Sequence, residues 1–291
     1  MANVELHGKP IVITGASSGI GRATAIACAG AGMPVVLGAR RETMLRDAVE
    51  QITRAGGRAV AVPCDVTDPA ACERLIQAGV DAFGSVYAVF ANAGYGFERA
   101  MHETSQAKLR AIFETNFWGT MNVIYPALPR MIADRSGHIL ICSSCLGKLP
   151  IPYYGHYSAT KAAQNHVGRA MRLELAEFGV HVSTVHPIGT KTEFFDTAKA
   201  RSGDDEVLTS HSPDVFMQSP AFVAKKIVAC LRRPRAEVWT GFSGHFVRFG
   251  MSVCTLFPWI ADRSLSGLVR KRRALIERET ARRRGDQVAS S

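Results

Sequence analysis

The stretch that decides the fold runs from Ile139 to Ala163 and reads ILICSSCLGKLPIPYYGHYSATKAA. It begins as an apolar run that predicts a buried parallel strand, passes through a loop with Pro and Gly, and enters a helix. On that helix Tyr157 and Lys161 are one turn apart and share a face. Because a phenol held beside an ammonium group can transfer protons, the pair is a candidate general acid/base. Ser144 follows the strand, at the edge where open α/β sheets bind ligands.

On either side of this stretch, short apolar runs alternate with amphipathic helices. The runs that predict strands are 9–14, 35–37, 59–62, 86–91, 139–142, 180–185 and 237–240. Short links between alternating strands and helices indicate a Rossmann-like α/β fold, a doubly wound parallel sheet with helices on both faces. We therefore predict a single catalytic domain over residues 1–240. The longest predicted helix, 104–133, contains Pro126 and Pro129, which should bend it or end it early.

The regular pattern decays between residues 191 and 218. This segment is polar in its middle and is flanked by Phe194-Phe195 and Phe216-Met217. A long irregular segment after a catalytic sheet is often a cover over a substrate pocket. We predict a substrate lid over residues 191–218, with a disordered surface loop as the alternative.

The first predicted strand ends in a glycine turn with the spacing GxxxGxG. Such a turn lets a pyrophosphate approach the backbone at the N-terminus of the next helix, where free N–H groups and the helix dipole favour an anion. Taken alone, the glycines could also form a purely structural turn. The predicted cofactor contacts in this segment are Gly15, Ser17, Ser18, Gly19, Ile20 and Gly21.

The end of the second predicted strand indicates which dinucleotide is bound. A carboxylate about 20 residues after the glycine turn would bind the ribose 2′-hydroxyl of NAD, whereas an Arg would accommodate the 2′-phosphate of NADP. Here the strand ends in Gly38-Ala39-Arg40-Arg41, without a carboxylate. Arg40 can bind a phosphate through two hydrogen bonds, so NADP(H) is favoured over NAD(H). The alternative is a pair of solvated arginines at a helix start, where cations are disfavoured unless they bind something.

Together these motifs resemble the short-chain dehydrogenase/reductase (SDR) family over about residues 9–192. The resemblance depends on the glycine turn, on Asn92-Ala93-Gly94 after the fourth strand, on Asn116 in the long helix, and on Ser144 followed by Tyr157 and Lys161. It implies a catalytic tetrad of Asn116, Ser144, Tyr157 and Lys161, in which Asn116 holds a water of a proton relay. It also implies cofactor contacts at Asp65, Val66, Asn92, Ala93, Gly94, Tyr157, Lys161, Pro187, Ile188, Thr190 and Thr192, and a homodimer or homotetramer.

The tetrad also has a physical interpretation. Hydride transfer to a carbonyl produces an alkoxide that needs a proton, and Tyr157 can supply it. A free Tyr has a pKa of about 10, and positive charge on Lys161 and on the oxidised nicotinamide is expected to lower it. Ser144 is expected to hold the carbonyl oxygen by a hydrogen bond. A Tyr and a Lys at this spacing are a common surface pattern by themselves, but Ser144 and Asn116 favour the catalytic interpretation.

Two further residues, Ile188 and His156, lie next to predicted site residues in the sequence. Ile188 follows Pro187 where the family usually has Gly, and its side chain is a candidate for narrowing the pocket. Its backbone N–H can still reach the nicotinamide carboxamide. His156 is predicted to line the pocket or cap the helix rather than to be a second acid/base group.

Composition narrows the class of protein further. Seven Cys are scattered through the chain, and one CxxC pair occurs, Cys142 and Cys145. No second pair or His cluster accompanies it, so reduced, packed thiols are predicted. The N-terminus lacks the basic and apolar regions of a signal peptide, and no run reaches the about 20 apolar residues of a membrane-spanning helix. No cluster has metal-ligand spacing. We therefore predict a cytoplasmic protein without a metal.

The net charge of +10 is concentrated near the C-terminus, where residues 270–284 hold eight Lys/Arg against two Glu. Before that run, apolar residues recur at helical spacing from Phe242 to Ile260. Residues 241–291 are therefore predicted to form an amphipathic, basic extension. It would pack on its own domain, cover a lipophilic pocket, join a partner subunit or make peripheral contact with a membrane. Nucleic-acid binding is not expected, because aromatic residues do not interleave the basic run.

The combined prediction is an NADP(H)-dependent oxidoreductase that transfers a hydride between the nicotinamide and a carbonyl or secondary alcohol. A lipophilic small-molecule substrate is inferred from the apolar C-terminal third and the Phe-flanked lid. The alternative is a catalytically silent NADP(H)-binding sensor or a membrane-associated scaffold, and the complete tetrad argues against it.

Overall fold

The computed structural model describes residues 3–190, 192–202, 217–241, 244–267, 269–270 and 273–274. Within them, seven parallel strands form one sheet in the order β3-β2-β1-β4-β5-β6-β7. The strands are β1 (Ile11–Thr14), β2 (Val35–Ala39), β3 (Ala59–Pro63), β4 (Ala88–Ala91), β5 (Gly137–Cys142), β6 (Val180–His186) and β7 (Glu237–Trp239). The helices are α1 (Gly19–Gly30), α2 (Glu42–Arg54), α3 (Pro69–Phe83), α4 (Gln106–Phe113), α5 (Gly119–Ile124), α6 (Leu128–Ala133), α7 (Gly155–Glu174), α8 (Phe194–Ser202), α9 (Pro220–Arg232) and α10 (Gly244–Leu256).

The central strands are buried on both faces, because alternate side chains of a strand point to opposite sides of the sheet. In β1, Ile11 and Ile13 pack into the core on the side of α1, α2 and α9. Val12, between them, packs into the core on the side of α3, α5 and α7. The prediction of a doubly wound parallel sheet with helices on both faces is therefore confirmed.

The long helix predicted over residues 104–133 is interrupted. It consists of α4, a π-helical turn (Glu114–Trp118), α5 and α6. Pro126 lies in the break between α5 and α6, as predicted from the missing N–H and the ring of proline. Pro129 lies in the first turn of α6, where its missing N–H is not needed. The π-helical turn was not predicted. Such turns occur often at functional sites, and this one contains Asn116.

The order of the strands reverses between β1 and β4, which places a crevice at the carboxyl ends of these two strands. The hydroxyl of Thr14 joins the two sides of the crevice. It accepts hydrogen bonds from the backbone N–H groups of Asn92 at 3.0 Å and of Ala93 at 3.1 Å. The glycine turn after β1 and the Asn92-Ala93-Gly94 turn after β4 therefore lie side by side.

The segment after β6 differs from the expectation of an irregular chain, since α8 forms within it. Residues 203–216, the polar middle of the predicted lid, lie outside the described residues. In the C-terminal extension, α10 is the predicted amphipathic helix, and residues 258–267 are helical as well. Of the basic run 270–284, residues 271, 272 and 275–284 lie outside the described residues. No helix in the described ranges has the length and apolar content that crossing a bilayer requires.

Candidate active site

A cavity of about 1200 Å³ opens at the carboxyl edge of the sheet. All the predicted site residues line it except Gly21 and Asn116, which are buried. The cavity therefore brings the predicted dinucleotide contacts and the predicted acid/base pair into one continuous space.

Ser144, Tyr157 and Lys161 meet in the middle of this cavity. The Ser144 hydroxyl lies near the Tyr157 phenol and lowers its pKa. The same hydroxyl accepts a hydrogen bond from the backbone N–H of Leu146 at 3.1 Å and donates a weak one to the thiol of Cys145 at 4.0 Å, which a substrate oxygen can replace. The Lys161 ammonium donates to the carbonyl oxygen of Cys142 at 2.7 Å and lies 5.6 Å from the centre of the Tyr157 ring.

Burial dominates the electrostatics of this trio. It raises the pKa of Tyr157, and the neighbouring Cys142 thiol raises it further, while the hydrogen bond with Ser144 lowers it. Burial also lowers the pKa of Lys161. From the protein's own groups the net pKa of Tyr157 is therefore raised. In this state the phenol is neutral at physiological pH and can act as a proton donor. The expected lowering by Lys161 together with the oxidised nicotinamide stays a prediction.

Asn116 is tied into the structure by its side-chain amide. Its Oδ1 accepts from the backbone N–H of Tyr95 at 2.9 Å. Its Nδ2 donates to the carbonyl of Tyr95 at 2.9 Å and to the hydroxyl of Thr160 at 3.0 Å. Because Thr160 precedes Lys161 in α7, these bonds connect the π-helical turn to the helix that carries the acid/base pair. The relay water assigned to Asn116 stays a prediction.

The glycine turn has a shape that only glycine permits. Gly15 and Gly19 have φ angles of +65° and +56°. A Cβ atom at Gly21 would lie 2.3 Å from the carbonyl oxygen of Gly15. The N-cap of α1, Ser18, makes no side-chain hydrogen bond to the first N–H groups of the helix. These groups face the cavity and are suited to a pyrophosphate.

Arg41 is a residue that the sequence analysis did not assign. Its guanidinium donates to the hydroxyls of Ser17 at 3.1 Å and Ser18 at 2.8 Å, and to the carboxylate of Glu193 at 2.8 Å. Arg40 is the more exposed of the two arginines, and its one ion pair within the described residues is with Asp65, at 3.9 Å. Both arginines line the cavity at the end where the adenosine half of a dinucleotide would lie.

Asp65 and Val66 form the wall of this end of the cavity. Burial tends to raise the pKa of Asp65, but hydrogen bonds from the backbone and hydroxyl of Thr67 outweigh it, so the pKa is lowered. The carbonyl of Val66 accepts from the side chain of Asn122 at 2.9 Å, which holds the turn against α5. The wall is therefore rigid and carries a negative charge near Arg40.

At the opposite end, the segment after β6 provides the remaining predicted contacts. Ile188 is buried, and its carbonyl accepts from Gln218 at 2.9 Å. Among the described residues, the hydroxyl of Thr190 has no hydrogen-bond partner although it is buried against the cavity. A buried polar atom of this kind fits a bound ligand with a donor or acceptor, such as a carboxamide. Thr192 differs, because its hydroxyl accepts from the N–H of Phe194 at 3.2 Å and begins α8.

His186 is a second residue missed from sequence. Its Nδ1 donates to the carbonyl of Ser144 at 3.1 Å, its Nε2 contacts the hydroxyl of Thr184 at 2.9 Å, and its ring stacks on Trp239. It therefore positions the backbone of Ser144. His156 neither lines the cavity nor acts as an acid/base group. Its Nε2 donates to the carbonyl of Phe97 at 2.7 Å.

The burial of His186 predicts a pH dependence of stability. Burial lowers its pKa to about 4, and the charges of Lys148 and Arg248 act in the same direction. In the unfolded chain the pKa is about 6.5, so below pH 6.5 the unfolded state binds the proton and the native state does not. Stability is therefore lost as the pH falls from about 6.5 to about 4. Between pH 7 and pH 5 this one group should reduce the free energy of unfolding by about 2 kcal/mol.

Urea titrations at several pH values measure this effect. In His186→Asn, which has no ionisable ring, the decrease between pH 7 and pH 5 should be smaller by about 2 kcal/mol. If the free energy of unfolding decreases equally with pH in the native protein and in His186→Asn, the prediction is contradicted. Glu237, whose pKa is held at about 2 by Lys148 and Trp239 against the effect of burial, contributes mainly at lower pH.

The substrate side of the cavity is lined mainly by apolar groups. The ring of Phe194, from α8, lies 5.5 Å from the ring of Tyr157. Val247 and Met251, from α10, close another side. The Tyr154 hydroxyl approaches the carboxylate of the buried Glu98 at 3.4 Å, and Thr197 and Arg201 of α8 line the cavity as well, so this side also has polar positions. Both the predicted lid segment and the C-terminal extension therefore contribute side chains to the pocket.

Comparisons with known proteins identify the family of the chain. A sequence model of the family described as short chain dehydrogenase matches residues 9–203. The oxidoreductase SadH of Mycobacterium tuberculosis is 31% identical over 245 residues, which cover 83% of this chain and 89% of SadH. Dehydrogenase/reductase SDR family member 7B of Bos taurus is 29% identical over 269 residues, covering 90% of this chain and 82% of that protein. The fold and the site thus define a nucleotide-binding oxidoreductase. The chain belongs to the short-chain dehydrogenase family.

Solved structures give the same result. A short-chain dehydrogenase/reductase from Burkholderia phymatum in complex with NAD superposes with a TM-score of 0.72 at 27% identity, covering 81% of this chain and 89% of that chain. An alcohol dehydrogenase from Thermococcus sibiricus complexed with 5-hydroxy-NADP has a TM-score of 0.70 at 27% identity, covering 79% and 94%. Similar structures therefore hold both types of nicotinamide cofactor. Among the described residues, no group of His, Cys, Asp and Glu is arranged to hold a metal, and all seven Cys are free thiols.

Proposed function

We propose that this protein is an NADP(H)-dependent oxidoreductase that interconverts a lipophilic ketone or aldehyde and the corresponding alcohol. The observation that carries the proposal is that Ser144, Tyr157 and the buried Lys161 line the same cavity as the glycine turn. When bound, the dinucleotide supplies or accepts the hydride. The Gly15–Gly21 turn, the free N–H groups of α1 and the unpaired Thr190 hydroxyl fit such a ligand.

The side chains of the site then have separate tasks. Ser144 donates a hydrogen bond to the substrate carbonyl oxygen and holds it within reach of Tyr157. Tyr157 gives its proton to that oxygen as negative charge develops on it, and takes the proton back in the direction of alcohol oxidation. Lys161, held by the Cys142 carbonyl, favours the phenolate that remains. Asn116 and His186 are positioning residues, since they hold α7 and the Ser144 backbone in place.

The preference for NADP(H) is supported by two arginines at the adenosine end of the cavity. Arg40 is free to turn toward a 2′-phosphate, because its only close charged partner in the described chain is Asp65 at 3.9 Å. Arg41 adds positive charge at the glycine turn, although part of it is neutralised by Glu193. No carboxylate occupies the end of β2, where it would repel a phosphate.

Arg40→Ala tests this assignment. Removing a charge-assisted hydrogen bond costs about 1.5–3 kcal/mol, so the dissociation constant of NADPH should rise about tenfold or more while that of NADH changes little. Fluorescence titration measures both constants. Arg46→Ala is the matched control, since Arg46 is equally exposed, lies on α2 and pairs with Glu42. If NADPH affinity is unchanged in Arg40→Ala but falls in Arg41→Ala, Arg41 is the residue that binds the 2′-phosphate. If NADPH affinity falls in neither variant, these arginines do not select NADP.

The substrate class is inferred from the apolar wall formed by α8 and α10. Reduction of a panel of carbonyl compounds, followed by NADPH absorbance, should give about tenfold higher kcat/KM for medium-chain and ring ketones than for small polar ones, as one to two buried methylene groups would produce. Glyceraldehyde or a similar polar carbonyl serving as the best substrate would refute the lipophilic assignment. If none of the carbonyl compounds or alcohols in the panel is converted, the proposed reaction is refuted.

We also propose that the protein forms a homo-oligomer through α5 and α7. Large apolar side chains on or beside these helices are exposed: Trp118 by 48%, Tyr125 by 57% and Leu173 by 77%. Exposed aromatic residues of this size are typical of subunit interfaces.

A further inference from the structure

The C-terminal part of the described chain carries a second group of exposed apolar side chains, which we call the α10 face. It consists of Phe246, Phe249, Leu256, Phe257 and Trp259, which are exposed by 81%, 71%, 73%, 51% and 65%. Single exposed apolar residues are ordinary, but five large ones within 14 positions, in α10 and in the bend and helical residues that follow it, are not. Such a patch marks a surface that is covered by something else.

α10 has two apolar sides with different surroundings. Successive residues of a helix are rotated by about 100°, which places Phe246, Phe249 and Leu256 in one arc. Val247 and Met251 lie on the opposite side of the helix and line the substrate cavity. The helix is anchored at this position by the pairing of Arg248 with Glu237 of β7, at 3.8 Å. The α10 face therefore points outward from the wall of the pocket.

Charge indicates what covers the α10 face. The helical residues that follow it carry exposed arginines at 263 and 270, and the sequence continues to the basic run of residues 270–284. In a symmetric dimer identical surfaces meet, so pairing of this face with itself would bring two basic segments together. An anionic lipid surface instead attracts the arginines while its acyl region receives the aromatic side chains. Trp and Phe beside basic residues are typical of helices that lie in the membrane interface.

We propose that the α10 face binds the surface of an anionic membrane, with α10 lying between the bilayer and the substrate cavity. The cavity then opens beside the lipid, so that a hydrophobic molecule can enter it from the bilayer past Val247 and Met251. Membrane binding itself does not depend on the proposed reaction, whereas the entry route does.

Flotation of the full chain with lipid vesicles tests the proposal. Binding is expected with vesicles that contain phosphatidylglycerol, weak binding with phosphatidylcholine alone, and release when NaCl is raised from about 0.1 M to about 0.5 M. The double variant Phe246→Ser/Phe249→Ser should bind anionic vesicles about tenfold or more weakly, since two large apolar side chains no longer enter the interface. Met101→Ser, which removes an exposed apolar side chain outside α5, α7 and α10, should bind as the native chain does.

A second measurement avoids the risk that the double variant misfolds. Trp259 emission should shift to shorter wavelength when anionic vesicles are added, and the shift should vanish in Trp259→Phe, which keeps the side chain aromatic. Absence of vesicle binding by the native chain, or equal binding by the double variant, would overturn the proposal. Light scattering provides another outcome that would overturn the proposal. If the native chain is a dimer and Phe246→Ser/Phe249→Ser is a monomer, the α10 face binds a second copy of the chain.

Activity measurements distinguish failure of the membrane proposal from failure of the proposed reaction. The double variant should reduce a small water-soluble ketone at the native rate without vesicles, since neither Phe lines the cavity. With a ketone dissolved in anionic vesicles, the double variant should be about tenfold slower than the native chain, in proportion to its weaker binding to the vesicles. Loss of activity with both substrates would refute a role limited to the membrane, and no activity in the native chain would refute the reaction while leaving membrane binding open to the flotation test.

Discussion

Tyr157→Phe is expected to reduce kcat by about 10²–10⁴, because the substitution removes the proton that general acid catalysis requires and leaves the ring in place. Burial raises the pKa of Tyr157, so the native phenol carries this proton at neutral pH. In the described part of the chain, neither Lys161 nor His156 is placed to replace it. Lys161 is held by the Cys142 carbonyl, and His156 is bonded to Phe97 outside the cavity. Single-turnover reduction of a ketone by NADPH measures the loss directly.

The control for this prediction is Tyr154→Phe. Tyr154 lies in the same cavity, with its ring 6.5 Å from that of Tyr157, but its hydroxyl faces Glu98. Its kcat should stay within about threefold of the native value, since only one weak hydrogen bond is lost. NADPH affinity should be nearly unchanged in both variants. Equal losses in the two variants would show that packing, not proton transfer, is responsible. A signalling output retained by Tyr157→Phe would favour a cofactor sensor over an enzyme.

The parts of the site that could be predicted from sequence are those in which spacing along one element determines position. Tyr157 and Lys161 share a face of α7 because they are one turn apart, and Ser144 follows a buried strand, so the sheet edge brings it to them. The glycine turn is equally local. In each case short-range geometry was sufficient.

The parts that could not be predicted depend on contacts between distant segments. Arg41 binds both the glycine turn and Glu193, which is 152 positions away in sequence. His186 acts on Ser144 across the sheet, 42 positions away. The only sequence signal for His186 was a polar residue at the end of an otherwise apolar strand, and such a residue can equally be a bonded core side chain. The π-helical turn at Asn116 has no propensity signal of its own.

The pKa of Tyr157 shows why electrostatics is harder to predict than position. Sequence places a cation one turn away, but the sign of the net shift depends on how much water is excluded. In the folded chain both groups are buried, and desolvation is the largest cause of each shift, raising the pKa of Tyr157 and lowering that of Lys161. A buried pair of this kind is suited to holding a proton until charge develops on the substrate oxygen, which is the requirement of the reducing direction.

Gly21→Ala is expected to produce the second large effect, on binding and on folding together. The new Cβ would lie 2.3 Å from the Gly15 carbonyl oxygen and 2.7 Å from the Asn92 amide nitrogen, so the backbone of the glycine turn must move. Overpacking of this kind costs about 1–3 kcal/mol of stability. Since the displaced turn is the predicted pyrophosphate site, the NADPH dissociation constant should rise about tenfold or more.

The same helix provides the control. Gly30 is exposed at the C-terminal end of α1, and nothing lies within 4 Å of the position of its Cβ. Gly30→Ala should therefore leave NADPH binding unchanged and raise the free energy of unfolding by about 0.5–1 kcal/mol, the gain in helix propensity. Urea denaturation and fluorescence titration of both variants separate the two effects. Native NADPH affinity in a folded Gly21→Ala protein would show that the glycine turn does not hold the pyrophosphate, because the steric conflict at Gly21 acts on that turn before any other part of the site.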